Sequence, residues 1–222
     1  MDMKTAMNER HSVRSYLDKP IETDKAQVLQ TFINECNNSG DLHIQLVLNE
    51  PKAFDCLMAH YGKFSGVQNY IALIGKKTAD LQEKIGYYGA KIVLFAQTLG
   101  LNTCWVALTY KKIKTAFTVD KGEKLCSVLT LGYGKTQGTA HNGKTIDEIC
   151  SCETAPAPEW FTNGAKAALL APTAVNQQKF HFTFKNGSTV KAETKGGFCT
   201  KMDLGIAKYF FELGAETEIE WV

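Results

Sequence analysis

Apolar positions along the chain recur at helical spacing in some stretches and alternate at strand spacing in others, which divides the sequence into elements. After a short N-terminal helix, Val28, Leu29, Phe32 and Ile33 fall on one face behind Thr23 and Asp24, so a helix is predicted over Thr23 to Asn38. Asn37-Asn38-Ser39-Gly40 breaks it, and Leu42 to Leu48 alternates as a strand. Pro51 opens a second short helix to about His60, and Val67 to Gly75 reads as another strand. The strongest helical signal runs from Thr78 to Leu99, where Leu81, Ile85, Tyr88, Ile92, Phe95, Ala96 and Leu99 keep the period and Gly100 supplies the stop. Val93 and Leu94 cover a further face, which predicts a central helix. Lys124 to Gly132 is one more strand.

Small residues and two prolines collect in Ser151 to Pro158, the expected linker between an N-terminal lobe over 1–150 and a shorter one over 159–222. The second lobe is predicted to hold a helix over Glu159 to Leu170 and strands over Phe180 to Phe184 and Thr189 to Glu193, turned by Asn186-Gly187. A helix over Met202 to Leu213 and a terminal strand near Thr217 to Trp221 complete it. Sliding the chain on itself sets Leu99-Gly100 on Leu213-Gly214, Ile92 on Ile206 and Phe95 on Tyr209, a weak match of the sort an old tandem duplication leaves. The expected class is α+β: two related lobes, each with helices packed on a small, mainly antiparallel sheet, sharing a central helix core.

Composition narrows the partners. With 25 basic and 23 acidic residues among 222, the net charge of +2 provides no broad electrostatic footprint for nucleic acid or an acidic membrane. An anionic ligand must therefore be held locally. Residues 1–20 lack the apolar stretch of a signal peptide, and the long uncharged run Ile92 to Tyr110 carries Gln97, Thr98, Asn102 and Thr103, so it reads as a buried element. Seven cysteines, an odd number in a chain this long, suit reduced thiols in a cytoplasmic protein.

Two segments carry candidate chemistry. Glu9 to Tyr16 (ERHSVRSY) packs Arg10, His11, Ser12, Arg14 and Ser15 closely enough for two guanidinium groups and a hydroxyl to bind phosphate, although charge clusters more often face water. Ala171 to Gln178 (APTAVNQQ) offers a proline-shaped backbone, small Thr173 and Ala174 for close approach to a flat ligand, and Asn176 as donor and acceptor; the plainer alternative is an ordinary helix-to-strand connection. Together with the central YYGAKIVLFAQTLGLNTCWVAL, these segments resemble the FMN-dependent nitroreductase superfamily, with its R-x-S-x-R start, A-P-S/T-x-x-N-x-Q loop and G-L-x-T-x-W helix end. The loop stands late in this chain, and ECNNSGD occupies its usual early position, so the resemblance is to a single-chain branch in which two lobes mimic the usual homodimer and build one flavin site.

The resemblance implies that Arg10, His11, Ser12 and Arg14 hold the phosphate and the polar ring edge, while Pro172, Thr173, Ala174 and Asn176 approach from the other lobe. Backbone groups of Cys104, Trp105, Val106 and Ala107 would lie beside the reactive middle of the ring, and Lys144 would contact phosphate. Ala90 stands where relatives often carry Glu, and Asn142 replaces a second base. No side chain is singled out as catalytic. The implied activity is hydride transfer from NAD(P)H through FMN to a small acceptor such as a nitroaromatic, quinone or enone, by a monomer with an internal pseudo-dimer that further dimerisation could extend. The rival is a flavin-binding storage or redox-sensing protein without turnover. Cys150-x-Cys152 lacks the partner pair of a structural zinc site, no serine sits in a G-x-S-x-G elbow, and Leu131-Gly132-Tyr133-Gly134 is too short for a dinucleotide fingerprint, so metal, hydrolase and Rossmann readings are disfavoured.

Overall fold

Asp2 starts the first helix, α1 (Met3–Glu9), by accepting the N–H of Thr5 at 2.8 Å. The computed structural model describes residues 1–154 and 156–222, and contacts divide the chain into two units: residues 1–81 with 91–140, and residues 82–90 with 141–222.

In the first unit, α2 (Thr23–Gly40) ends where Asp41 turns left-handed at φ 50°. Strands β1 (Gln45–Val47), β2 (Asn69–Lys76), β3 (Asn102–Val106) and β4 (Glu123–Gly132) form a wholly antiparallel sheet in the order β1-β2-β4-β3. Every residue of β2 except Lys76 is buried, which is why its sequence reads as an apolar run rather than an alternation. A 3-10 turn at Pro51–Ala53 and the short helix α3 (Leu57–Tyr61) replace the single helix expected over Pro51 to His60. Phe54, Phe64, Tyr70, Cys104, Val106 and Val128 share one apolar cluster with Val13 and Tyr16 of the N-terminal arm. Helix α4 (Leu81–Thr98) contributes residues 82–90 to the second unit and its C-terminal half to the first, where Phe95 stacks on Phe32 at 4.0 Å.

The second unit opens with α5 (Ile146–Ile149), started by a capping box between Thr145 and Glu148. Strands β5 (Cys150–Cys152), β6 (Phe180–Asn186), β7 (Thr189–Thr194) and β8 (Glu220–Trp221) lie in sequence order, antiparallel between β6 and β7 and parallel at both edges. Phe180, Phe182 and Phe184 alternate inward along β6, and Phe182 meets Phe211 of α7 (Thr200–Ala215) at 4.7 Å. Helix α6 (Glu159–Ala168) crosses α7 at Gly164, where an added Cβ would stand 2.6 Å from the Phe211 ring.

Three departures from the sequence pattern have local causes. The strand expected over Leu42 to Leu48 shrinks because the Asn37 side chain takes both the N–H and the carbonyl of Ile44, at 2.7 and 2.8 Å. The uncharged run after Ile92 turns at Gly100, φ 74°, and continues as β3. Ser151 and Cys152 of the expected linker belong to β5, and Ala155 lies outside the described residues. Among the described residues no helix is long and apolar enough to cross a membrane, and all seven cysteines carry free thiols.

Candidate functional site

Helix α1 ends on Arg10, whose N–H closes onto the Ala6 carbonyl at 2.9 Å. The arm then runs beside β3: Ser12 bridges to Thr103, and the Val13 N–H donates to the Thr103 carbonyl at 3.0 Å. The Tyr16 hydroxyl locks this course, donating to the Val13 carbonyl at 2.7 Å and lying 2.6 Å from Thr130 Oγ1. Arg10 is drawn inside, only 4% exposed. Its Nε has no hydrogen-bond partner among the described residues, and burial lowers its pKa to about 10.

Two further buried donors near this arm are likewise unpartnered: Thr103 Oγ1 and Trp105 Nε1, both on β3. Native proteins rarely leave such groups unpaired; the one other unpartnered buried side-chain atom among the described residues is the Tyr70 hydroxyl on β2. Because Thr103 turns its carbonyl to the arm, the alternation of an antiparallel ladder turns the main-chain groups of Trp105 to that same edge, away from β4. Burial pushes the Cys104 thiol up, while Arg14, the Ser12 hydroxyl and Arg10 act in the opposite direction. The loop after β4 passes so near the arm that a Cβ on Gly138 would meet the His11 Cβ at 2.6 Å, and Asn102 ties that loop by receiving the Gly134 N–H at 2.9 Å.

The APTAVNQQ loop of the second unit is organised by two residues that sequence reasoning did not select, Gln178 and Asp203. Buried Gln178 donates through its side chain to the Leu169 carbonyl at 2.9 Å and receives the Lys144 N–H at 2.7 Å. Its own N–H goes to Thr173 Oγ1 at 3.1 Å. Asp203, in the first turn of α7 and also buried, accepts the Ala174 N–H at 3.0 Å and the Gln177 amide at 2.7 Å. Burial raises the Asp203 pKa against the lowering effect of these two bonds. Between the anchors, Val175, Asn176 and Gln178 all take positive φ, and Val175 is 95% exposed at φ 47°. A β-branched residue in that region is strained, and none of its side chain is buried in return.

The structure thus gathers Arg10, Ser12 and Arg14 around Cys104, with His11 beside them on the arm and Trp105, Val106 and Ala107 continuing along β3 and past its end. Separately, it gathers Lys144, Thr173, Ala174 and Asn176 into one network with Gln178, and half-buried Pro172 leads into it. Two assigned side chains are already engaged. The Lys144 ammonium donates to the Gln178 carbonyl at 2.8 Å, and the Asn176 amide donates to the Asn142 carbonyl at 2.9 Å. No spacing in the sequence singles out Asp203, which shares its helix with Lys201, Lys208 and Glu212.

Comparison with known proteins places the fold. The family model described as "Putative TM nitroreductase" matches residues 2–215. A crystal structure of a "putative nitroreductase" from Thermotoga maritima superposes with a TM-score of 0.66 at 21% identity, covering 96% of this chain and 83% of its own. A nitroreductase family protein from Streptococcus pneumoniae superposes at 0.52 with 12% identity, covering 67% of this chain and 98% of its own. A "putative NADH oxidase" from Clostridium acetobutylicum gives 0.51 at 18% identity, over 65% and 96%. These likenesses establish a nitroreductase-like α+β fold. No curated protein matches the sequence.

Proposed function

The chain belongs to the nitroreductase family that its sequence matches over residues 2–215, and on that premise we propose that it is an FMN-dependent oxidoreductase drawing hydride from NAD(P)H for a small acceptor such as a nitroaromatic, quinone or enone. The observation that carries this reading is Arg10, a guanidinium 4% exposed whose Nε has no partner. Enclosing a guanidinium with one donor unpartnered is costly, and an anionic ligand at that place would offset the cost.

FMN fits the donor set. Arg10 and Arg14 would hold its phosphate and the polar edge of its ring, with His11 and Ser12 beside them on the same arm. The unpaired Thr103 Oγ1 and Trp105 Nε1, with the main-chain N–H of Trp105, supply further donors along β3. Pro172, Thr173 and Ala174 are the ring contacts that the resemblance assigns to the loop pinned by Asp203. Lys144 and Asn176 take positioning parts in this reading, since their side chains fix Gln178 and Asn142. Bound FMN would supply the two-electron chemistry, and the protein supplies binding, orientation and electrostatics.

An absorption titration with FMN, followed by anaerobic mixing with NADH or NADPH, tests the proposal. It expects saturable binding at one FMN per chain and rapid bleaching of the flavin band. Binding without bleaching would move the protein to the storage or sensing class, and failure to bind would overturn the reading.

A further inference from the structure

Asp120-Lys121-Gly122-Glu123 forms a tight turn into β4. The Glu123 N–H donates to the Asp120 carbonyl at 3.0 Å, and Gly122 takes φ 91° at the third position, where a turn of this type calls for glycine. Glu123 Oε2 reaches back to accept the Asp120 N–H at 2.9 Å, so its carboxylate, with a side chain only 10% exposed, is held in place before anything binds. From the other side comes His43, fixed by its own N–H donating to the Ile74 carbonyl at 2.9 Å. Its Nδ1 stands 2.8 Å from Glu123 Oε2 and 4.0 Å from Asp120 Oδ2, and one ligand atom from each of the three residues lies within 4.8 Å of the others.

We propose that His43, Asp120 and Glu123 form a divalent transition-metal site, with Zn²⁺ as the occupant. Zinc–nitrogen and zinc–oxygen bonds of about 2.0–2.2 Å put neighbouring ligands of a tetrahedral ion roughly 3.4 Å apart. The separations of 2.8 and 4.0 Å bracket that span, so closing on an ion means opening the His43–Glu123 pair by about 0.6 Å and drawing the exposed Asp120 carboxylate in by a similar amount. One imidazole with two carboxylates suits zinc better than Mg²⁺ or Ca²⁺, which favour shells built wholly of oxygen. Two carboxylates balance the ion's charge, and the Asp120 N–H orients the Glu123 carboxylate from outside the ligand set. One opposing cation, Lys76, faces Glu123 across the β2–β4 register, and both oxygens of Asp41 hold its ammonium at 3.0 Å. On binding, the proton that His43 Nδ1 shares with Glu123 leaves to solvent and the nitrogen lone pair goes to the metal. The site uses none of the residues assigned to flavin and stands or falls independently of that assignment.

The test is a competition titration of Zn²⁺ against a chromophoric chelator on the full-length, EDTA-treated chain, with a Cys150→Ser/Cys152→Ser variant to remove the Cys-x-Cys thiols as a competing ligand pair. The expected result is one ion per chain, retained in the double-serine variant and weakened at least tenfold by His43→Ala and by Asp120→Asn. Asp120 is exposed, so its isosteric replacement leaves the fold intact. Co²⁺ substituted at the site should show visible bands without thiolate charge transfer. Unchanged affinity in both His43→Ala and Asp120→Asn, loss of the ion in the double-serine variant, or a thiolate band would overturn the proposal.

Discussion

The backbone N–H of Ala174 donates to Oδ1 of Asp203 at 3.0 Å, so a carboxylate buried in the first turn of α7 holds the loop that runs on into strained Val175. Asp203 also takes the Gln177 amide at 2.7 Å. Removing the carboxylate leaves two donors without an acceptor.

Asp203→Ala is therefore expected to cost about 1–3 kcal/mol in urea unfolding, and Asp203→Asn less, because one amide oxygen still accepts from Ala174. Burial raises the Asp203 pKa above its ordinary 3.8, so the native state holds the proton more tightly than the unfolded chain. Stability must then fall as pH rises from the ordinary aspartate range through the raised value. The asparagine variant should lack this part of the fall, measurable as a flatter dependence of the urea midpoint on pH between acid and neutral solution.

Helices α4 and α7 meet within the second unit through glycine. A Cβ on Gly86 would stand 2.0 Å from the Met202 carbonyl oxygen, and one on Gly205 would stand 1.9 Å from that of Glu83. Both obstacles are backbone, so neither can be relieved by turning a side chain. Gly86→Ala and Gly205→Ala are each expected to destabilise by about 1–3 kcal/mol or more, read as a lower Tm. The double variant should lose less than the sum, since the first helix displacement makes room for the second methyl.

Most of the fold was legible where burial is one-sided. Phe180, Phe182 and Phe184 alternate and β6 follows, while the apolar face from Leu81 to Leu99 marks α4. What the pattern hid has physical causes. β3 is buried at Asn102, Thr103 and Cys104, so its polar residues mimic a loop, and β5 is three residues of Cys and Ser paired to β6. Among the candidate residues, the arm and, in the second unit, the APTAVNQQ loop stood out by residue type. Gln178 and Asp203 did not, because their importance lies in hydrogen bonds to main-chain groups that no spacing announces. His43 and Asp120 come together only because β2 carries Ile74 to one and β4 follows the other.

Val175 supplies a prediction of opposite sign. It is 95% exposed at φ 47°, so it loses backbone energy and gains no packing. The strain amounts to about 1–3 kcal/mol, against which glycine would sacrifice about 0.5–1 kcal/mol of chain entropy. Val175→Gly and Val175→Asn should both raise the Tm of the protein without FMN. If neither does, the left-handed turn is not strained by its side chain.

Arg10 and Arg14 should separate the stability of the protein from its affinity for FMN. Arg10 is buried with Nε unpaired, and its lowered pKa of about 10 records the cost of enclosing the charge. Arg10→Met keeps the side chain's length and removes that cost, so the protein without ligand should become more stable to urea. The same change deletes a charge-assisted contact of about 1.5–3 kcal/mol, so FMN affinity should drop roughly ten- to a hundredfold. Exposed Arg14 behaves differently: Arg14→Met should leave the urea midpoint within about 0.5 kcal/mol of the parent and still weaken FMN. Riboflavin, which has no phosphate, serves as the control and should lose much less affinity in either variant. Equal losses for FMN and riboflavin would show that the arginines act on the ring or on the fold. A destabilised Arg10→Met protein would show that the guanidinium is already satisfied without a ligand, and the buried cation would then cease to argue for an anion on the arm.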